Sequence, residues 1–225
     1  MTLIDNRSSI EANLDKLVIK LDTNILGYES VIESSSGCQQ TNNDERFNLV
    51  TFFFIHNAFA AICELRSSIK SRSMISNMLI ARHLMELYSD FKFLISEPTK
   101  QKQFANAFYY FGEMRNIELN IYSSKAEKLK ILEKWKEYSD GNHKRHWSGK
   151  TRTEIVKEAW RDNATVYSSL SAHCHPSLLT QDLVFWTYSD RTYGFISVNV
   201  EGCIGMIDEI LEIAQSMKLC GCISE

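Results

Sequence analysis

The stretch DERFNLVTFFFIHNAFAAICELRSSI, residues 44–69, decides the fold class. Within it Phe47, Val50, Phe52, Phe53, Ile55, Phe59, Ile62 and Leu65 fall almost all the way round a helix. That distribution predicts a central helix contacted from several sides. Its most apolar part, Leu49 to Leu65, carries His56, Asn57 and Glu64. It also stops short of the ~20 residues needed to cross a bilayer, so a buried helix and no membrane contact are expected.

Working outward, Ser73 can cap a second helix running to about Ser96, and Pro98 can open a third, where its missing N–H costs nothing. Phe104, Phe108, Phe111, Met114 and Ile117 recur at helical spacing in the third, and Leu129, Leu132 and Trp135 in a fourth from about Ser124 to Tyr138. Thr151 and Glu154 form a capping box that opens a further helix. Another, from about Arg161 to Cys174, must end before Pro176. Leu183 to Val200 reads as a β-hairpin, with Val184, Trp186 and Tyr188 on one face and a return strand from Tyr193 to Val198. A last helix is expected from about Glu201 to Lys218. The Ser/Gly/Gln/Asn-rich run from Ser34 to Asn43 reads as a linker. The expected architecture is therefore mainly α: an N-terminal helical segment and linker over 1–43, then a helical bundle over 44–225 with a small β-hairpin inserted before the C-terminal helix.

Composition agrees. A chain of 225 residues with 44% hydrophobic and 24% charged residues has the make-up of a globular protein, and nine Gly with two Pro leave few tight hairpins. Met1 to Leu14 mixes Asp5, Arg7 and Glu11 into its apolar residues and lacks the core of a secretory signal. Six scattered cysteines fit a reducing compartment, so a cytoplasmic location is expected. The net charge of −3 conceals an asymmetry: residues 124–152 hold nine Lys or Arg against four acids, leaving −8 on the remainder. RNA is the partner that basic segment would suit.

Several residues invite a chemical reading. Arg82 and Glu86 lie one helical turn apart on an apolar stripe with Ile75, Met78, Leu79, Met85 and Phe93. They are either an ion pair at the edge of the apolar face or the lining of a site. His146, Trp147, Ser148 and Lys150 combine cation, imidazole and ring in a polar loop, the ingredients for gripping a phosphate and stacking a base. The same loop also reads as a solvated basic connection pinned by Trp147, with the indole N–H bonded to a carbonyl and Gly149 in a tight turn. His173 follows Val166 and Leu170 on the expected apolar stripe, whereas His175 shares the line of Tyr167 and Ser171, which favours His175 for chemistry. Cys174, Cys220 and Cys222 lack the two spaced pairs of a structural zinc site, so neither a metal nor any other cofactor is expected.

His146-Trp147-Ser148-Gly149-Lys150, then Tyr167, then Leu170-Ser171 ending in His175-Pro176-Ser177, resembles a bacterial family of helical proteins of unknown function. The resemblance extends upstream through Arg82-His83-Leu84-Met85-Glu86 and Tyr109, and implies a helical bundle with those positions as its signature. More distantly the chain is similar to HEPN ribonucleases, dimeric helical bundles of toxin and defence systems. They pair an arginine and a histidine four to six residues apart on one helix. Here the nearest Arg before His173 and His175 is Arg161, so Arg82 would supply the charge from another helix.

Two functions are therefore expected to compete. One is a non-catalytic helical module that binds a protein or small ligand, such as a regulator in a bacterial defence or stress system. The other is a metal-independent, HEPN-like ribonuclease or RNA-binding enzyme, in which a homodimer is implied. It would use His175 as general acid and base, Arg82 and Lys150 against phosphate charge, and Glu86 to orient Arg82. His146, Trp147, Ser148, Tyr167 and Ser171 would then receive the substrate.

Overall fold

The computed structural model describes residues 3–36, 45–119, 124–138, 146–160, 164–173 and 190–216. These form α1 (Leu3–Ser36), α2 (Glu45–Lys70), α3 (Met74–Ile95), a 3-10 turn (Pro98–Lys100), α4 (Gln101–Glu118), α5 (Lys125–Tyr138), α6 (Arg152–Trp160), α7 (Ala164–His173) and α8 (Asp190–Ser216). No strand occurs among the described residues.

α2 is the axis of the bundle, packed by α1, α3, α4 and α8. It is long and apolar enough to cross a membrane by composition, yet Phe54, Ile62 and Leu65 have no exposed surface and Ile69 almost none, as in the core helix of a bundle. A short joint turns the chain back from α2 into α3. Arg72 takes a left-handed φ of 57° there, and Ser73 N–H bonds Ser68 O at 2.9 Å, which satisfies the carbonyls at the end of α2. Ser73 Oγ accepts from Ser76 N–H and caps α3 as its sequence predicts. α1 brings Ile10, Leu14, Leu17 and Leu21 to the same core, against α2 and α8. Tyr28 adds a hydrogen bond to Asp208 at 2.6 Å.

Three expectations are corrected. The return strand of the hairpin is the first part of α8. Ile196, Val200, Cys203, Ile207 and Ile210 are buried at steps of three and four, so the helical stripe extends upstream of Glu201, and Val198, the expected strand residue, is 69% exposed. The other half of that hairpin, residues 183–189, lies outside the described residues. The expected linker begins too early, because Ser34 to Ser36 still belong to α1. Two expected stripes hold in part: α5 buries Trp135 as expected, together with Ile131, but leaves Leu129 half exposed, and α7 buries Leu170 as expected, together with Tyr167, but exposes Val166.

α6 and α7 lie against α3, and α4 against α2, with α5 outside it. The turn at residues 146–151 that precedes α6 meets the C-terminal part of α3, at Asp90 and Phe93.

Candidate functional site

α3 carries Arg82, Glu86 and Asp90 at successive steps of four, which places them in one line along the helix. The turn before α6 meets that line. Gly149, with a φ of 74°, allows the tight reversal, and its N–H bonds His146 O at 3.1 Å. The capping box forms as its sequence predicts: Glu154 accepts from Thr151 N–H at 2.7 Å and Thr151 Oγ1 accepts from Glu154 N–H at 3.3 Å. Ser148 organises the turn. Its backbone N–H lies 3.3 Å and its hydroxyl 2.8 Å from His146 Nδ1, while Oγ accepts from Lys150 N–H at 3.1 Å. His146 Nδ1 is therefore an acceptor, which puts the ring hydrogen of the neutral imidazole on Nε2, 3.3 Å from Asp90 Oδ1.

Arg152, the first residue of α6, sets Nη1 2.6 Å from the same Asp90 oxygen and Nε 4.0 Å from Glu86 Oε2. Glu86 Oε1 accepts from Tyr167 O–H at 2.8 Å and from Arg82 Nε–H at 3.2 Å. Arg82 also lies 5.7 Å from the Tyr167 ring centroid. The result is one chain of alternating charge, Arg82, Glu86, Arg152, Asp90, ending on the imidazole of His146. Burial, and then the bond to Glu86, raise the Tyr167 hydroxyl above the usual tyrosine range.

Beside this chain lies a cavity of about 760 Å³, within the range of small-molecule sites. α2 contributes Phe52, Phe53, Phe54 and His56 to it, α4 contributes Phe108, Phe111 and Gly112, and the turn contributes His146 and Trp147. Asp90 and Arg152 line it as well. Trp147 is held edge-on by Phe93 and Phe108, both centroids at 5.4 Å, and is 4% exposed. The ring does dock into the body as expected. However, its Nε1 is buried with no hydrogen-bond partner among the described residues, so edge-on ring contacts pin it and not the expected bond to a carbonyl.

Trp147 Nε1 is not alone: His56 Nε2 is also buried with no partner among the described residues, while His146 Nε2, Asp90 Oδ1 and Arg152 Nη1 are buried against one another. Asp90 Oδ1 is the ion-pair partner of Arg152 Nη1 and also faces the His146 ring. Buried polar atoms are nearly always paired, so two unpartnered ring nitrogens on residues lining one cavity point to a polar guest there.

The expected site residues separate accordingly. His146 and Trp147 line the cavity, and Ser148 holds His146 from behind. Arg82, Glu86 and Tyr167 are not in its lining and connect to it only through the contact of Glu86 with Arg152. Lys150 faces a second hollow of about 700 Å³, bound to Glu158 at 2.7 Å with its ammonium over Phe93. Ser171 is half-buried on α7 and His175 lies outside the described residues. Cys174, Cys220 and Cys222 also lie outside them, and the described residues contain no cluster able to hold a metal ion.

Asp90, Arg152 and His56 were not singled out by sequence. Asp90 is one more step of four beyond Arg82 and Glu86. Arg152 places a cation in the first turn of a helix, against the dipole, which signals a carboxylate elsewhere in the fold.

Residues 49–190 match the model of DUF5677, a family of unknown function. The chain belongs to this family. The DUF5677 match includes every residue of the cavity and of the charge chain, and runs from within α2 to the first residue of α8. No curated protein and no solved structure matches the chain.

Proposed function

We propose that this DUF5677 protein is a non-catalytic binding module whose ligand, a small molecule, enters the cavity between α2, α4 and the turn before α6. The observation that carries this reading is a ring-walled cavity of about 760 Å³ whose lining includes two residues, His56 and Trp147, each with a buried ring nitrogen that has no partner among the described residues.

The test adds indole, a planar probe with one N–H, to the purified full chain. At a concentration of about 100 Kd the stabilisation is about 2.7 kcal/mol, a rise in melting temperature of about 5–10 °C for a chain of this size. Gly112→Leu, which fills the cavity, should remove that rise. Single-stranded RNA is the second arm. Cleavage of it, abolished by His56→Ala or His175→Ala, would replace the binding module with a HEPN-like ribonuclease.

A further inference from the structure

Resting on the ligand-binding reading, we infer that Asp90 is the positioning residue of the cavity: its carboxylate clasps both ends of the turn that carries Trp147 and so keeps that wall in place. The turn runs from His146 to Arg152. Asp90 Oδ1 lies 3.3 Å from His146 Nε2 at the start of the turn and 2.6 Å from Arg152 Nη1 at its end. Glu86 contacts the Arg152 end, at 4.0 Å. The backbone of the turn bonds to itself. Ser148 N–H goes to His146 Nδ1, Gly149 N–H to His146 O, Lys150 N–H to Ser148 Oγ and Thr151 N–H to Glu154. These bonds shape the turn, and none of them ties it to α3.

Side chains hold the turn to the body, and they differ in strength. Trp147 meets Phe93 of α3 and Phe108 of α4 edge-on, and the Lys150 ammonium stands 5.1 Å over the Phe93 ring. Such ring contacts are individually weak. The contacts of Asp90 are of another kind. Its side chain is 7% exposed, so parting it from Arg152 and His146 strands a carboxylate in a poorly hydrated place. One group therefore governs both ends, and with them His146 and Trp147, the turn's share of the lining. α6 has anchors of its own. Ile155 and Val156 are buried, and the Trp160 ring lies 5.1 Å from that of Tyr88. Loss of Asp90 is expected to free the turn and leave the helix behind it seated.

The experiment compares the full chain with Asp90→Ala by two measurements, backbone amide order parameters from NMR relaxation and calorimetric titration with indole. The inference expects the order parameters of Ser148, Gly149 and Lys150 to fall from about 0.85, the value of rigid backbone, to below about 0.6, with those of Ile155 and Val156 unchanged. Indole should bind the variant about tenfold more weakly or worse. A residue that merely supports the core would lower stability without loosening the turn selectively. Arg152→Gln frees one end and should give the same pattern in weaker form, which decides the matter if Asp90→Ala does not fold. A turn that stays rigid in the variants, or a loosened turn with indole affinity unchanged, would overturn the inference and leave the binding module standing. Failure of the parent chain to bind indole would overturn both.

Discussion

Gly112→Leu tests the cavity without disturbing the polar residues beside it. Gly112 lies within α4 and lines the cavity, and a Cβ built there meets nothing within 4 Å. Two terms then favour the variant. Leucine gains about 0.8 kcal/mol over glycine in a helix interior. Partial burial of its side chain among Phe108, Phe111 and Trp147 adds about 1 kcal/mol. A total near 2 kcal/mol raises the melting temperature of a domain this size by about 4–8 °C. The assay is thermal denaturation followed by circular dichroism, with and without indole. The expected pair of results is a higher melting temperature and no further rise with the probe. A melting temperature below that of the parent would mean that the space is already filled, and an undiminished response to indole would place its binding elsewhere.

Asp90→Ala removes the shared partner of Arg152 and His146 and should cost about 3 kcal/mol in urea denaturation, at the lower end for a buried pair because Arg152 keeps Glu86; a loss below about 1 kcal/mol would show that the pair is not buried in solution. Thr151→Ala deletes half of the capping box and should cost about 1 kcal/mol, with faster amide exchange at Glu154; unchanged exchange would contradict the cap. Tyr28, Tyr88 and Tyr167 are raised above the ordinary tyrosine value by burial and then by the carboxylates that accept from them. Their folded state holds the proton more tightly than the unfolded one. The stability they contribute is therefore fully present below about pH 10 and falls as pH rises beyond it. Denaturation midpoints at pH 9, 10 and 11 should decline, and less so in Tyr28→Phe; a flat profile would sink this account.

The helices were legible in sequence wherever a stripe or a cap defined them. Ser73, Thr151 with Glu154, and Gly149 act as their residue types require. The ring of apolar residues round α2 was legible too, but its meaning was double. Phe54 and Ile62 are buried by other helices, whereas Phe53 is 43% exposed and belongs to the wall of a cavity. A helical wheel cannot separate packing from lining, because both call for the same side chains. α4 shows the same ambiguity: its fully buried residues are Ala105 and Ala107, and its phenylalanines are only partly covered. The hairpin failed because β-branched Ile196, Val198 and Val200 suit a strand locally, while the longer stripe through Cys203 and Ile207 brings far more surface to α3. Of the site, the turn around His146 and Trp147 was visible as chemistry. The convergence of His56, Asp90 and Arg152 was not, since it joins residues on three helices.

The alternation of sign along Arg82, Glu86, Arg152 and Asp90 has a bearing on how such a chain can diverge. Reversing one member sets two like charges side by side in a poorly hydrated place, while exchanging two neighbours together restores the attraction. Mutational drift at positions 86, 90 and 152 is therefore expected to be correlated, each change surviving only alongside its counterpart.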